Sequence, residues 1–234
     1  MKVGIIQSSY IPWRGYFDLI DDVDLFIYYD DTQYSKNTWR NRNKIKTANG
    51  LVWLTVPVSF SLVNKPNIED VEINNNENWV RKHGMTISQA YSKAPYFNKY
   101  YDEFFELYDE RCRTISKLNI HINEWIIKKL NISTEIKMSS EIITSGNKTD
   151  RLINILKKVG ATSYLSGPAA KDYLDEGKFL EAGIGLEYKT YKYREYPQLH
   201  GCFEPQVSVL DMLFNCGEDA RKYLKSFEPN DKVI

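Results

Sequence analysis

The densest group of reactive side chains in the sequence lies between residues 30 and 43: Asp30, Asp31, Gln33, Tyr34, Lys36, Trp39, Arg40, Asn41, Arg42 and Asn43. Paired carboxylates at Asp30 and Asp31 can bind a metal, hold a sugar amine or act as a general base. Lys36, Arg40 and Arg42 can clamp phosphates, with arginine adding bidentate geometry. Asn41 and Asn43 offer neutral amides for sugar hydroxyls or a carboxamide. Trp39 can stack on a sugar or a base. The plain alternative is a solvated loop carrying surface charge.

Three further groups carry candidate chemistry. Gln7, Tyr10, Trp13, Arg14 and Tyr16 follow the first apolar run, although Trp13 and Tyr16 also read as core aromatics. Thr144 to Arg151 is a small polar loop entering a helix, with Lys148 and Arg151 as phosphate contacts. It lacks the glycine–lysine spacing of a P-loop, and an ordinary helix cap explains it equally well. The fourth group joins Ser166-Gly167-Pro168 to the stretch from Tyr193 to Gly201. His200 is its best acid–base group by residue type, with Glu195 placed to assist. A lone histidine is also a common structural residue, and Cys202 reads as a small apolar side chain.

These groups need strands and helices to position them. Val3–Ile6 and Leu25–Tyr29 read as buried strands, with helical spacing through Tyr16, Phe17, Leu19 and Ile20 between them. Leu51–Val58 reads as a third strand. Residues 59–78 read as irregular, with a short strand at Val71–Ile73. From Trp79 to about Leu130 the pattern is helical, interrupted at Pro95. Glu135–Met138, Thr162–Leu165 and Leu186–Tyr188 read as strands separated by helices ending at Gly160 and Gly183. Strands alternating with helices predict a mainly parallel sheet. The expected fold is therefore an α/β domain over 1–234, with residues 79–130 as an extra layer or lid. In such folds ligands bind outside the carboxyl ends of the strands, where the first two groups fall.

Composition narrows the function. The chain has 234 residues, 42% of them hydrophobic and 26% charged, as expected of a globular protein. Seventeen Tyr, 10 Phe and 5 Trp supply far more buriable surface than a disordered chain carries. Lys plus Arg and Asp plus Glu both total 31, which argues against a nucleic-acid binder. No apolar run approaches a membrane span or a signal peptide, so the expected compartment is the cytoplasm. Cys112, Cys202 and Cys216 form no CxxC pair, and His83, His121 and His200 lie far apart, so no metal site is predicted.

Several stretches together resemble the WbqC-like family. They include Gln7 to Phe17, Asp30 to Lys36, Trp39 to Ile45 and Leu54 to Val58. Tyr164 to Ala169, Tyr196 to Gly201 and Leu213 to Gly217 complete the likeness. Family members often place His-Gln-Pro after the first strand. Here the sequence is Ile6-Gln7-Ser8, so no catalytic histidine carries over. The resemblance implies a bacterial protein tied to O-antigen or other surface-polysaccharide gene sets. A more distant likeness, to Rossmann-like nucleotidylyl transferases and pantothenate synthetase, implies a Rossmann-like sheet.

Two functions follow as expectations. One is an enzyme that modifies a nucleotide-linked amino sugar by acyl or aminoacyl transfer to its amine. Asp30, Asp31 or His200 would then serve as base, and ATP with Mg²⁺ or an acyl-CoA as donor. The other is a non-catalytic sugar-nucleotide-binding or scaffold protein of the same pathway.

Overall fold

A computed structural model describes residues 1–59, 65–76, 78–108 and 112–234. Residues 60–64 and 77, within the stretch read as irregular, and 109–111, within the stretch read as helical, lie outside it.

Among the described residues, six strands form one sheet. They are β1 (Lys2–Ile6), β2 (Leu25–Tyr28), β7 (Glu135–Met138), β8 (Ser163–Ser166), β9 (Gly185–Tyr188) and β10 (Asp231–Lys232). Their spatial order is β10-β9-β8-β1-β2-β7. All neighbours are parallel except the edge strand β10, which runs antiparallel to β9. Chain order therefore runs outward from β1 in both directions: through β2 to β7 on one side, and through β8 to β9 on the other.

Alternation along the strands divides the apolar side chains between two faces. Val3, Ile5, Leu25, Ile27, Tyr164 and Leu186 face α5 (Lys148–Lys158) and α6 (Glu176–Ala182). Phe26, Tyr28 and Leu165 face a larger core that includes α1 (Arg14–Ile20) and α7 (Val209–Cys216). Gly4 lets α1 approach: a Cβ there would lie 2.9 Å from Leu19 Cδ2. The same core takes in α2 (Trp79–Tyr91), α3 (Phe97–Phe105) and α4 (Ile115–Lys129).

The third expected strand does not join the main sheet. As β4 (Gly50–Thr55) it pairs antiparallel with β3 (Arg42–Thr47), which the sequence reading treated as part of a binding loop. Tertiary context decides this. The alternate residues Asn43 and Ile45 are buried inward, as is Leu54 of β4 opposite Asn43, while Lys44 and Trp53 lie opposite each other on the other face. A small pair, β5 (Val58–Ser59) with β6 (Glu72–Ile73), lies between this hairpin and α2 in the chain. No helix among the described residues is long and apolar enough to cross a membrane.

Candidate functional site

The first two candidate groups meet at the carboxyl ends of β1 and β2. Arg40 Nη1 donates to Gln7 Oε1 at 2.9 Å, and Gln7 Nε2 donates to Thr32 Oγ1 at 2.8 Å. Tyr10 N donates to the Trp39 carbonyl at 2.9 Å. Asn43 Nδ2 donates to the carbonyls of Tyr10 and Ile11 at 3.2 and 3.0 Å. Ile11 needs this support: its φ of 37° is a strained value for a β-branched residue.

Helix α4 braces both loops with a buried polar stripe, at helical spacing, that the sequence reading missed. Ser116 Oγ donates to Asp30 Oδ2 at 2.5 Å. Asn119 Nδ2 reaches Ser8 Oγ at 3.1 Å and the Arg40 carbonyl at 2.8 Å. Asn123 Nδ2 reaches the Ser9 carbonyl. Asp30 accepts a second bond from Ser8 N at 2.7 Å and is 1% exposed. Its carboxylate thus ties the loop after β1 to α4.

Beside these loops lies a cavity of about 740 Å³, bounded by Gln7, Tyr29, Arg40, Lys148, Tyr164 and Ser166 among others. It opens between the carboxyl ends of β1 and β8, where the strand order changes direction, and it meets the start of α5. Four predicted site residues therefore share one wall: Gln7, Arg40, Lys148 and Ser166. The lining also includes Thr149 of the third candidate group, and Tyr29, Tyr164 and Tyr173, which the sequence reading did not select as site residues. A second cavity of about 790 Å³, against Trp79, Tyr108 and Cys112, holds none of the predicted residues.

Charge at the cavity is positive. Burial lowers the pKa of Arg40, and Arg40 Nε is buried without a hydrogen bond. Just behind the wall, Arg151 pairs with the Asp31 carboxylate, which also accepts from Ser139 Oγ. The Arg151 guanidinium lies 5.0 Å from the Tyr29 ring centroid. Burial raises the Tyr29 pKa. Glu69, also missed from sequence, has its pKa raised by burial and by Asp31, Asp70 and Asp30. Its backbone N–H donates to the Asp30 carbonyl. The histidine and cysteine residues lie outside the lining, and no group of three or more potential metal ligands exists among the described residues.

The remaining predicted residues lie elsewhere. Tyr10 is fully buried, its hydroxyl 2.8 Å from His83 Nδ1 and 2.6 Å from Tyr108 Oη. Trp13 packs edge-on against Tyr191 and Tyr193. The neighbouring Arg14 is buried against Tyr193, its guanidinium 4.3 Å from the ring centroid. Asn41 Nδ2 donates to the Val56 carbonyl. Gln33 and Lys36 are exposed, as is Trp39. Arg42 lies over the Trp53 ring.

His200 Nε2 contacts the Ala90 carbonyl at 2.7 Å, and Glu195 is exposed. Their segment is anchored by a different buried network. Lys46 Nζ donates to Gln198 Oε1 and the Cys202 carbonyl. Asp211 accepts from Tyr91 Oη, Tyr196 Oη and Gln198 Nε2 at 2.8 to 2.9 Å. The structure therefore does not bring His200 or Glu195 to the cavity.

The WbqC-like protein family matches the chain over residues 7–223, from Gln7 at the cavity to beyond α7. The chain belongs to the WbqC-like protein family. A relative, the uncharacterized protein Rv1507c of Mycobacterium tuberculosis, is 44% identical over 226 residues, 96% of this chain and 97% of the relative. No solved structure matches the chain. For this WbqC-like protein, function must therefore be argued from the cavity itself.

Proposed function

We propose that this protein binds a nucleotide-linked amino sugar in the cavity between β1 and β8 and modifies the amine by acyl or aminoacyl transfer. The reading places it in the synthesis of a bacterial surface polysaccharide. One observation carries it: a cavity of about 740 Å³ lies at the carboxyl ends of parallel strands where chain order reverses, with Arg40 and Lys148 on its wall. That is where Rossmann-like sheets hold nucleotides. Counting only the parallel strands, the order is third, second, first, fourth, fifth, as in that class of sheet.

The wall chemistry supports an anionic sugar derivative. Arg40 and Lys148 attract phosphate. Gln7, Thr149 and Ser166 offer amide and hydroxyl groups matched to sugar hydroxyls. Acyl transfer also needs a group to take the amine proton. Asp31 and Glu69 are the carboxylate candidates, since Asp31 is bound to the arginine that packs on the lining residue Tyr29 and Glu69 is held as a weaker acid within electrostatic reach of Asp31.

The second reading, a non-catalytic sugar-nucleotide-binding or scaffold protein, is favoured by a specific feature: among the described residues no carboxylate, histidine or cysteine lines the cavity. Turnover separates the two. The purified protein is incubated with UDP- and dTDP-linked amino sugars, with ATP–Mg²⁺ plus a carboxylic or amino acid, or with acyl-CoA. Amide product is read by mass spectrometry. The enzyme reading expects product from the wild type and a large loss in Asp31→Asn or Glu69→Gln, with sugar-nucleotide binding retained. Saturable binding without product from any donor establishes the binding protein instead.

A further inference from the structure

Residues 32–68 contain Lys36, Arg40, Arg42, Lys44, Lys46 and Lys65 and not one acidic residue, in a chain whose charges otherwise balance. Much of this cationic segment folds into the β3–β4 hairpin, whose outer face is aromatic and open. Trp39 is 48% exposed and Trp53 41% exposed, with ring centroids 5.5 Å apart. The Arg42 guanidinium lies 4.4 Å, and Lys44 Nζ 4.9 Å, from the Trp53 ring centroid. No carboxylate among the described residues pairs with Arg40, Arg42 or Lys44. Arg42 Nε is buried and, like Arg40 Nε, makes no hydrogen bond within the chain.

This platform is continuous with the cavity. Arg40 lines the cavity and directly follows Trp39. Arg40 and Arg42 both lie within electrostatic reach of the buried Tyr34. A row of groups thus runs from Gln7 through Arg40 and Arg42 to Trp53 and Trp39. Its polarity changes along the way: sugar-matched hydroxyls in the cavity, two guanidinium groups in the middle, two partly exposed indoles at the end.

We infer that the Trp39–Trp53 platform is the nucleobase subsite for the nucleotide-linked sugar, with Arg40 and Arg42 holding the diphosphate and the cavity holding the sugar. The inference rests on the function proposed above and deepens it. A base has a flat face for stacking on indole, and its phosphates supply the negative charge that this acid-free segment lacks. An arginine fork suits a diphosphate better than a point charge does.

The test uses each half of the ligand as a separate probe. UDP and an amino-sugar 1-phosphate are titrated into the wild type, Trp39→Ala, Trp53→Ala and Ala169→Trp, which enlarges a side chain of the cavity lining, with melting temperatures as a control for folding. Both tryptophans are exposed, so their replacement leaves the core intact. UDP is expected to bind the wild type and quench tryptophan fluorescence. Its affinity should fall roughly tenfold or more in the two tryptophan variants, the scale of one stacked base, and stay unchanged in Ala169→Trp. The amino-sugar 1-phosphate should show the reverse pattern.

If UDP binding is lost in Ala169→Trp and untouched in the tryptophan variants, the base sits in the cavity and the platform assignment is overturned, while the cavity reading stands. Failure of UDP to bind any of the proteins overturns the assignment too. The proposed function then survives only if the amino-sugar 1-phosphate binds. Binding of single-stranded oligonucleotides or anionic vesicles at the tryptophans, without competition by UDP, gives the platform to a polymer or a bilayer and also overturns it.

Discussion

Arg40 and Gln7 stand 33 residues apart in the chain and are joined by a hydrogen bond of 2.9 Å at the mouth of the cavity. That contact makes one site out of two loops. It also explains why Arg40 keeps its charge in a partly buried place: Gln7 Oε1 accepts from the guanidinium, and Asp30 and the Tyr16 and Tyr34 hydroxyls lie within electrostatic reach.

Replacing Arg40 should therefore act on the ligand more than on the fold. Charge-assisted hydrogen bonds contribute about 1.5–3 kcal/mol, so Arg40→Ala is expected to weaken UDP-sugar binding roughly 10- to 100-fold. Arg40→Lys should restore only part of it, because lysine lacks the fork. Isothermal titration reads both. Equal affinity in all three proteins would remove Arg40 from the site.

Asn43 bears on stability. Its amide is 3% exposed and satisfies the carbonyls of Tyr10 and Ile11 at the one point where the loop after β1 is strained. Asn43→Ala leaves both acceptors without that donor and should cost about 2 kcal/mol. Urea unfolding checks this through a lower midpoint at unchanged slope.

His83 predicts a pH dependence. Burial against Tyr10 and Trp79 lowers its pKa to about 4, below the ordinary value of 6.5. Between those values the unfolded chain takes up a proton that the folded chain refuses. Stability should therefore fall on acidification from pH 6.5 to 4, by roughly 3 kcal/mol from this group. His83→Gln should flatten that part of the stability–pH curve. An unchanged slope in the variant would assign the acid loss to other groups.

Much of the sheet was legible in short strand-forming stretches separated by helical spacing: the expected Val3–Ile6 and Leu25–Tyr29 are apolar runs and Glu135–Met138 alternates, and strands form at Lys2–Ile6, Leu25–Tyr28 and Glu135–Met138. The hairpin strand Arg42–Thr47 was not. Its sequence alternates cations with Asn43 and Ile45, and only the tertiary packing of those two residues makes it a strand. Helix α7 was hidden for a different reason: it is short and buried on every side, and even Asp211 and Asn215, its polar residues at helical spacing, are buried. Candidate chemistry followed the same division. Gln7, Arg40 and Ser166, singled out by residue type after strands, line the cavity. The environment of Asp30 was invisible because its partner Ser116 lies 86 residues away. Glu69 gave no local signal, since its raised pKa comes from burial and from carboxylates brought near by folding.

The central claim is that the cavity between β1 and β8 binds a nucleotide-linked amino sugar. Isothermal titration of a UDP-linked amino sugar into the wild type and into Ala169→Trp tests it most directly. Saturable one-site binding to the wild type, weakened in Ala169→Trp to no more than the affinity of UDP alone at an unchanged melting temperature, is the predicted result. Equal binding by the two proteins, or none by either, would contradict it.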